Sequence, residues 1–291
     1  MSNFLTSTST RHTSLLKVTG PVVISAFSIF VTFCVLQPLA CWLDPSFTLL
    51  ANRSVGKIAF TIMILLHILL LATTTPRAFF DRLVATNILF FVRERWLKPF
   101  FTLFALFAGL HTIAVGVMVY GGYVTFNPSA AYRLIPMIPN LLWGFVATFL
   151  LAWTEEFMFR GTLYPFFAQR FTPLASITLT SLIFALAHDL TNPLSLVTTQ
   201  WRLGLGLFLL GFMLNLLFAI TNKLYIGMGA HAGLVFIKVL LRRIPFIAIP
   251  TTIPWWFSPD LRQSIIIHIL FALAIVGILL WAWCSTKNSH S

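Results

Sequence analysis

Residues 141–167 read LLWGFVATFLLAWTEEFMFRGTLYPFF, an apolar run interrupted by Glu155, Glu156 and Arg160. The whole chain holds only seven acidic residues, so two of them stand together where charge is most costly. A lone carboxylate in hydrocarbon either gives up its charge or needs partners, and two adjacent ones repel, so the pair implies a polar interior inside an apolar bundle. Arg160 follows Glu156 by four residues, one helical turn on and on the same face, in the acid-before-base order that suits the helix dipole. Glu155 is rotated by about 100° from Glu156 on a 3.6-residue helix and has no countercharge nearby in sequence. That leaves Glu155 free for chemistry.

The composition around this run agrees. Hydrophobic residues make up 58% of the chain and charged ones 9%, with a mean hydropathy of +0.92, whereas soluble domains carry roughly 25% charged residues. A water-soluble globule is excluded, and the reading is an all-α membrane protein, a polytopic bundle with its active site inside. The net charge of +12 would suggest nucleic acid in a soluble protein. Here most Lys and Arg fall between apolar segments, where they set orientation and meet the anionic headgroups of the lipid bilayer, so nucleic acid is not expected as a partner. Cys34, Cys41 and Cys284 are odd in number and show no CxxC or CxxH spacing, which points to neither a disulfide framework nor a thiolate metal site.

Segments apolar enough to span a bilayer, which takes about 20 residues, lie near 18–42, 56–74, 99–121, 138–160, 173–190, 203–222, 225–241 and 263–284. This predicts about eight transmembrane helices. The segments near 173–190 and 225–241 are short and carry His188 and His231, as befits inner helices around a polar site. The expected organisation is a polar tail over 1–15, one transmembrane domain over 16–285 with its core motifs in 138–240, and a second tail over 286–291. The apolar sequence from Val18 to Leu43 reads as an uncleaved anchor, being longer than a signal-peptide core. Arg77, Arg82, Arg93, Arg95 and Lys98 flank an apolar stretch that reads as an amphipathic helix on the membrane surface. If that cluster is cytoplasmic, both termini are inside, although Lys238, Arg242 and Arg243 then fall on the opposite side.

Glu155, Glu156 and Arg160, His188, and His231 come from three separate segments and are expected to meet in one pocket. Phe184 precedes His188 by one turn, where its ring restricts the imidazole and excludes water. His231 is surrounded by Gly227, Gly229, Ala230, Ala232 and Gly233, small residues that let helices and a substrate backbone approach. A carboxylate and two imidazoles suit two hydrolytic mechanisms. In the first, Glu155 and His188 hold a water for attack on a peptide carbonyl and His231 stabilises the oxyanion. In the second, Glu155, His188 and His231 bind Zn²⁺, which activates the water; the sequence has no HExxH, so such a site would be assembled from three helices.

These motifs carry a resemblance. Glu155-Glu156-Phe-Met-Phe-Arg160 is similar to EExxxR, Phe184-Ala-Leu-Ala-His188 to FxxxH, and His231 opens a third motif, in the order and apolar setting of the CAAX-protease and bacteriocin-processing family of intramembrane endopeptidases. The resemblance spans roughly residues 138–240. It implies that Glu155 activates water, that His188 helps hold it and that His231 stabilises the oxyanion. It also implies a membrane-associated protein or peptide as substrate, and a multi-pass protein of the inner membrane of a bacterium. Phe184, Gly233 and Val235 would line the substrate pocket. One departure is visible: Val235 stands where the eukaryotic prenyl-protein branch has Asn, and valine can neither donate a hydrogen bond nor ligate metal.

Plainer roles fall on the remaining polar residues. His67, His111 and His268 are expected to pack or to bond between helices, Asp189 to mark a helix boundary, and Asn215 or Asn222 either to compensate for Val235 or to join helices. Two other function classes fit buried Glu and His. One is a non-catalytic scaffold or immunity-type protein of the same fold; the other is a proton-coupled transporter, which would call for broken helices in paired halves.

Overall fold

A computed structural model describes residues 81, 88–133, 135, 138–189, 193–244, 246–248, 256, 258 and 261–287. The chain forms two compact units, and the helices described below belong to the one that contains Phe90–Ser291. The expected segments 18–42 and 56–74, the Val18–Leu43 anchor, His67, Arg77 and Arg82 lie outside the described residues.

The described helices are α1 (Phe90–Arg93), α2 (Leu97–Tyr120), α3 (Ile138–Glu156), α4 (Tyr164–Ala168), α5 (Pro173–Leu186), α6 (Trp201–Thr221), α7 (Leu224–Arg243) and α8 (Ile265–Lys287). The six apolar segments predicted from residue 99 onward correspond to α2, α3, α5, α6, α7 and α8. Among the described residues, α2, α6, α7 and α8 are long and apolar enough to cross a membrane. The protein is an all-α membrane protein, and its only described sheet is a two-residue antiparallel ladder that pairs Thr125–Phe126 with Ile247–Ala248.

Local chemistry sets the helix ends. Gly122 takes φ +72° just beyond α2, a left-handed turn that glycine enters without a Cβ penalty. Thr172 caps α5 by accepting from the Ala175 N–H, with Pro173 at the first helical position. Asn222 ends α6 at φ 53°, sending its N–H back to the Phe218 carbonyl. At 14 residues α5 is about 21 Å long, shorter than the ~30 Å that crossing a hydrocarbon core takes.

Packing separates inner from outer helices. The spanning window of α6 is 61% buried and that of α8 only 22%, which makes α6 the centre and leaves Ile269, Leu273, Val276 and Leu280 on an open apolar face. Helix α7 packs on α2 and α3, and α6 on α5, α8 and α7. Gly229 and Gly233 allow the first of these contacts: a Cβ at either would collide with the carbonyl of Phe100 or Phe104 on α2. At one end of the bundle Lys223 Nζ and Tyr225 Oη reach Glu94 Oε2 at 2.7 and 3.0 Å, tying the start of α7 to the bend before α2.

Candidate active site

The helix carrying the two glutamates does not continue as a regular α-helix. From Phe157 to Leu163 it widens to a π-helical turn, in which Thr162 Oγ1 donates to the carbonyl five residues back, at Phe157. Such turns insert one extra residue and re-aim the side chains around them. Glu156 and Arg160 still meet: Nη1 donates to Oε1 at 3.0 Å, and both side chains are fully buried. The guanidinium is also held by the Gly211 carbonyl on α6 at 3.0 Å through Nη2 and lies over the Phe184 ring at 4.7 Å.

His231 joins this pair from α7. Its Nδ1 lies 3.0 Å from Glu156 Oε1, while its Nε2 faces Glu155 Oε2 at 3.7 Å. The two adjacent glutamates therefore address opposite nitrogens of one imidazole, which follows from their angular offset on the helix. Glu156 accepts from Arg160 and His231 together, so it stays an acceptor and the hydrogen between them sits on Nδ1.

His188 sits in the turn just after α5, not within the helix as the 173–190 segment implied. Its Nδ1 is 2.8 Å from the Phe184 carbonyl. A carbonyl can only accept, so Nδ1 carries the hydrogen and the Nε2 of the neutral ring presents a lone pair. That Nε2 lies 4.0 Å from Glu155 Oε2, and the His188 side chain is 23% exposed against 4% for His231. Phe184, fully buried, packs edge-on against His188 at 4.7 Å and His231 at 6.2 Å. It sets the spacing of the two imidazoles and keeps water from their inner side.

The five ionisable residues predicted from sequence thus meet in one place. Glu155 Oε2 is buried with no protein partner, and it faces two ring nitrogens across gaps of 3.7 and 4.0 Å. Those gaps are too wide for direct hydrogen bonds and suit one bridging solvent molecule. To hold Zn²⁺ the three side chains would have to close in: ligands at zinc's ~2.0–2.1 Å in a tetrahedron stand about 3.3 Å apart, less than either gap, and among the described residues no three His, Cys, Asp or Glu side chains are arranged to hold a metal ion.

The other named residues take plainer places. Gly233 is turned against α2, and Val235 is half-buried on α7. His111 Nδ1 bonds the Leu234 carbonyl at 3.1 Å, and His268 Nε2 bonds the Arg262 carbonyl at 2.9 Å. Asp189 accepts from Ser195 at the rim. Asn222 is spent as a helix cap, while Asn215 donates to Ser181 at 2.9 Å. Gly227 is a site residue that the small-residue pattern around His231 marked only in general terms: a Cβ there would stand 2.6 Å from Glu156 Oε2, so its bare backbone gives the carboxylate room.

Neither a curated relative nor a solved structure matches the chain. Residues 137–237 match the family model described as type II CAAX prenyl endopeptidase, Rce1-like, a span that contains Glu155, Glu156, Arg160, His188 and His231. The match covers about a third of the chain, and over that span the protein is similar to membrane endopeptidases of the CAAX type.

Proposed function

We propose that this integral membrane protein hydrolyses a peptide bond of a membrane-associated protein or peptide by means of a water activated by Glu155. The water sits between Glu155 Oε2, His188 Nε2 and His231 Nε2. Glu155 accepts one of its hydrogens and His188 Nε2 the other, so that an oxygen lone pair is turned toward the scissile carbonyl. As the oxygen bonds to the carbonyl carbon, the proton passes to Glu155 and the carbonyl oxygen becomes an oxyanion. His231, with a carboxylate at each nitrogen, presents Nε2–H to that oxyanion when doubly protonated. Collapse of the tetrahedral intermediate breaks the C–N bond, and the Glu155 carboxyl returns its proton to the departing amine.

In this scheme Glu156 and Arg160 position His231 and do not touch substrate, since both are sealed from solvent. Phe184 spaces the imidazoles. We place both termini on the cytoplasmic side, on the strength of the basic cluster Arg77, Arg82, Arg93, Arg95 and Lys98, and, from the resemblance alone, the protein in the inner membrane of a bacterium.

The observation that carries the reading is the pair of gaps, 3.7 and 4.0 Å, from one carboxylate oxygen to two ring nitrogens. Its test is a comparison of membrane peptides in cells that carry the wild-type protein or Glu155→Gln, His188→Ala or His231→Ala. Each variant should insert normally and lose the same cleavage products. Unchanged products in all three would leave the second reading, a binding protein of the same fold, which Val235 favours by withholding the amide that follows the second histidine in the eukaryotic branch.

A further inference from the structure

The two imidazoles are held by separate chains of contacts. His231 is fixed at Nδ1 by Glu156, Glu156 by Arg160 Nη1, and Arg160 Nη2 by the Gly211 carbonyl of α6 at 3.0 Å. His188 is fixed at Nδ1 by the Phe184 carbonyl, and the Phe184 ring packs against both imidazoles. That ring abuts Gly211 in turn: a Cβ on the glycine would stand 3.0 Å from Phe184 Cδ1. Both chains of contacts therefore end on one residue, Gly211, which carries no charge and belongs to no motif.

Each half depends on this residue in its own way. A helical carbonyl keeps a second lone pair after the backbone ladder has used the first, and Gly211 offers it to a guanidinium sealed from solvent. The Phe184 ring has little room to give way. Phe159 stands edge-on to it at 5.0 Å, the Arg160 guanidinium lies over it at 4.7 Å, and the rings of His188 and His231 follow at 4.7 and 6.2 Å. A ring so surrounded transmits a push from α6 to at least one of these neighbours. Glycine is also a poorer former of helix interiors than alanine, so local preference does not account for it in the middle of α6. The competing account is packing alone, since the same Cβ would stand 3.3 Å from Ser181 Cα on α5.

We propose that Gly211 is a positioning residue that sets the spacing of the two imidazoles, holding His231 through its carbonyl and His188 through the space it leaves for Phe184. The gaps of 3.7 and 4.0 Å from Glu155 to the two rings are then kept by one point of α6 and not by two independent anchors. The proposal deepens the endopeptidase reading and rests on it for turnover; the arrangement itself is read without substrate.

The test uses the full-length protein labelled with ¹⁵N-histidine in lipid nanodiscs, with the two Nδ1–H resonances assigned by their loss in His188→Ala and His231→Ala. In Gly211→Ala both resonances should shift. The Glu155-dependent cleavage products of membrane peptides in cells should fall about tenfold, part of the roughly 10²-fold that a misplacement of about 1 Å costs. In a Phe184→Leu background, where the new methyl has room, the same substitution should shift neither resonance further and change cleavage by less than about twofold. Packing of α5 on α6 alone would lower the melting temperature equally in both backgrounds and leave the imidazole resonances in place. That result overturns the proposal, as does a shift confined to one imidazole. If Gly211→Ala does not insert, the double variant with Phe184→Leu decides: its insertion supports the contact with Phe184, and its failure overturns it. Products unchanged in Glu155→Gln would end the endopeptidase reading, while the two resonances still decide the role of Gly211.

Discussion

The Nδ1 of His231 lies 3.0 Å from Oε1 of Glu156, although 75 residues separate the two in sequence. Glu156 is fully buried and already bonded to Arg160, so the imidazole is fixed at one nitrogen by an anion that cannot turn away. Its other nitrogen is thereby aimed at Glu155.

This predicts opposite consequences for the two neighbouring glutamates. Glu156→Gln leaves the buried Arg160 charge uncompensated and should lower stability by about 3–5 kcal/mol. Glu155→Gln removes a partly exposed charge beside another carboxylate and should leave stability within about 0.5 kcal/mol of wild type, while lowering turnover by about 10²–10⁴. Thermal unfolding of the detergent-solubilised variants separates the two, and equal losses of stability would contradict the assignment of roles.

Gly227 faces Glu156 with no side chain between them. In Gly227→Ala the new Cβ would stand 2.6 Å from Oε2, so the carboxylate must shift and carry His231 with it. Overpacking of this kind costs about 1–3 kcal/mol, and cleavage of the membrane substrate should be lost while the protein still inserts. Gly233→Ala presses instead on the backbone of α2 and should act through stability alone. Cleavage assays on inserted protein distinguish the pair.

Val235 follows His231 by one helical turn and therefore shares its face. Val235→Asn introduces an amide donor beside the group that stabilises the oxyanion, and a single such donor is worth up to 10²–10³ in turnover. An increase of about tenfold in the Glu155-dependent cleavage is expected. Its absence, in protein that inserts normally, would mean that this face of α7 does not approach the scissile carbonyl.

Outside the membrane-spanning helices, Lys223 holds the Glu94 carboxyl below its ordinary range by a hydrogen bond, which outweighs the opposing effect of burial; Tyr225 adds to it. A carboxyl depressed in the folded state contributes stability above its unfolded pKa, near 4.5, and loses it as the pH falls through the lower folded value. The pair is 44% and 32% exposed, so it contributes no more than about 1 kcal/mol. Melting temperature followed downward from pH 6 should fall less steeply in Glu94→Gln than in wild type. An equally steep fall in the variant would show that the contact does not matter to the folded state.

Much of the architecture was legible in one dimension because the bilayer imposes a single demand on every spanning helix, about 20 apolar residues with satisfied backbone. Six predicted segments reappear as α2, α3, α5, α6, α7 and α8 with ends displaced by a few residues. The end of α5 was displaced for a chemical reason. Hydropathy carries the helix through His188, yet in the structure its Nδ1–H bonds the Phe184 carbonyl one turn back, in the turn beyond the helix. The π-helical turn at Phe157–Leu163 carried no readable signal, because its residues keep the i, i+4 spacing of Glu156 and Arg160 that an α-helix would also give.

By itself the sequence determined that this chain lives in a membrane, that two acids and a base lie in one apolar segment, and that two histidines stand in two further apolar segments. Those are properties of spacing and hydropathy, which are local. Only the tertiary structure decided that Glu155 Oε2 faces two ring nitrogens while Glu156 is locked against Arg160. That division depends on Gly227, Gly211 and Phe184, three residues without charge, which act by shape where helices distant in sequence touch.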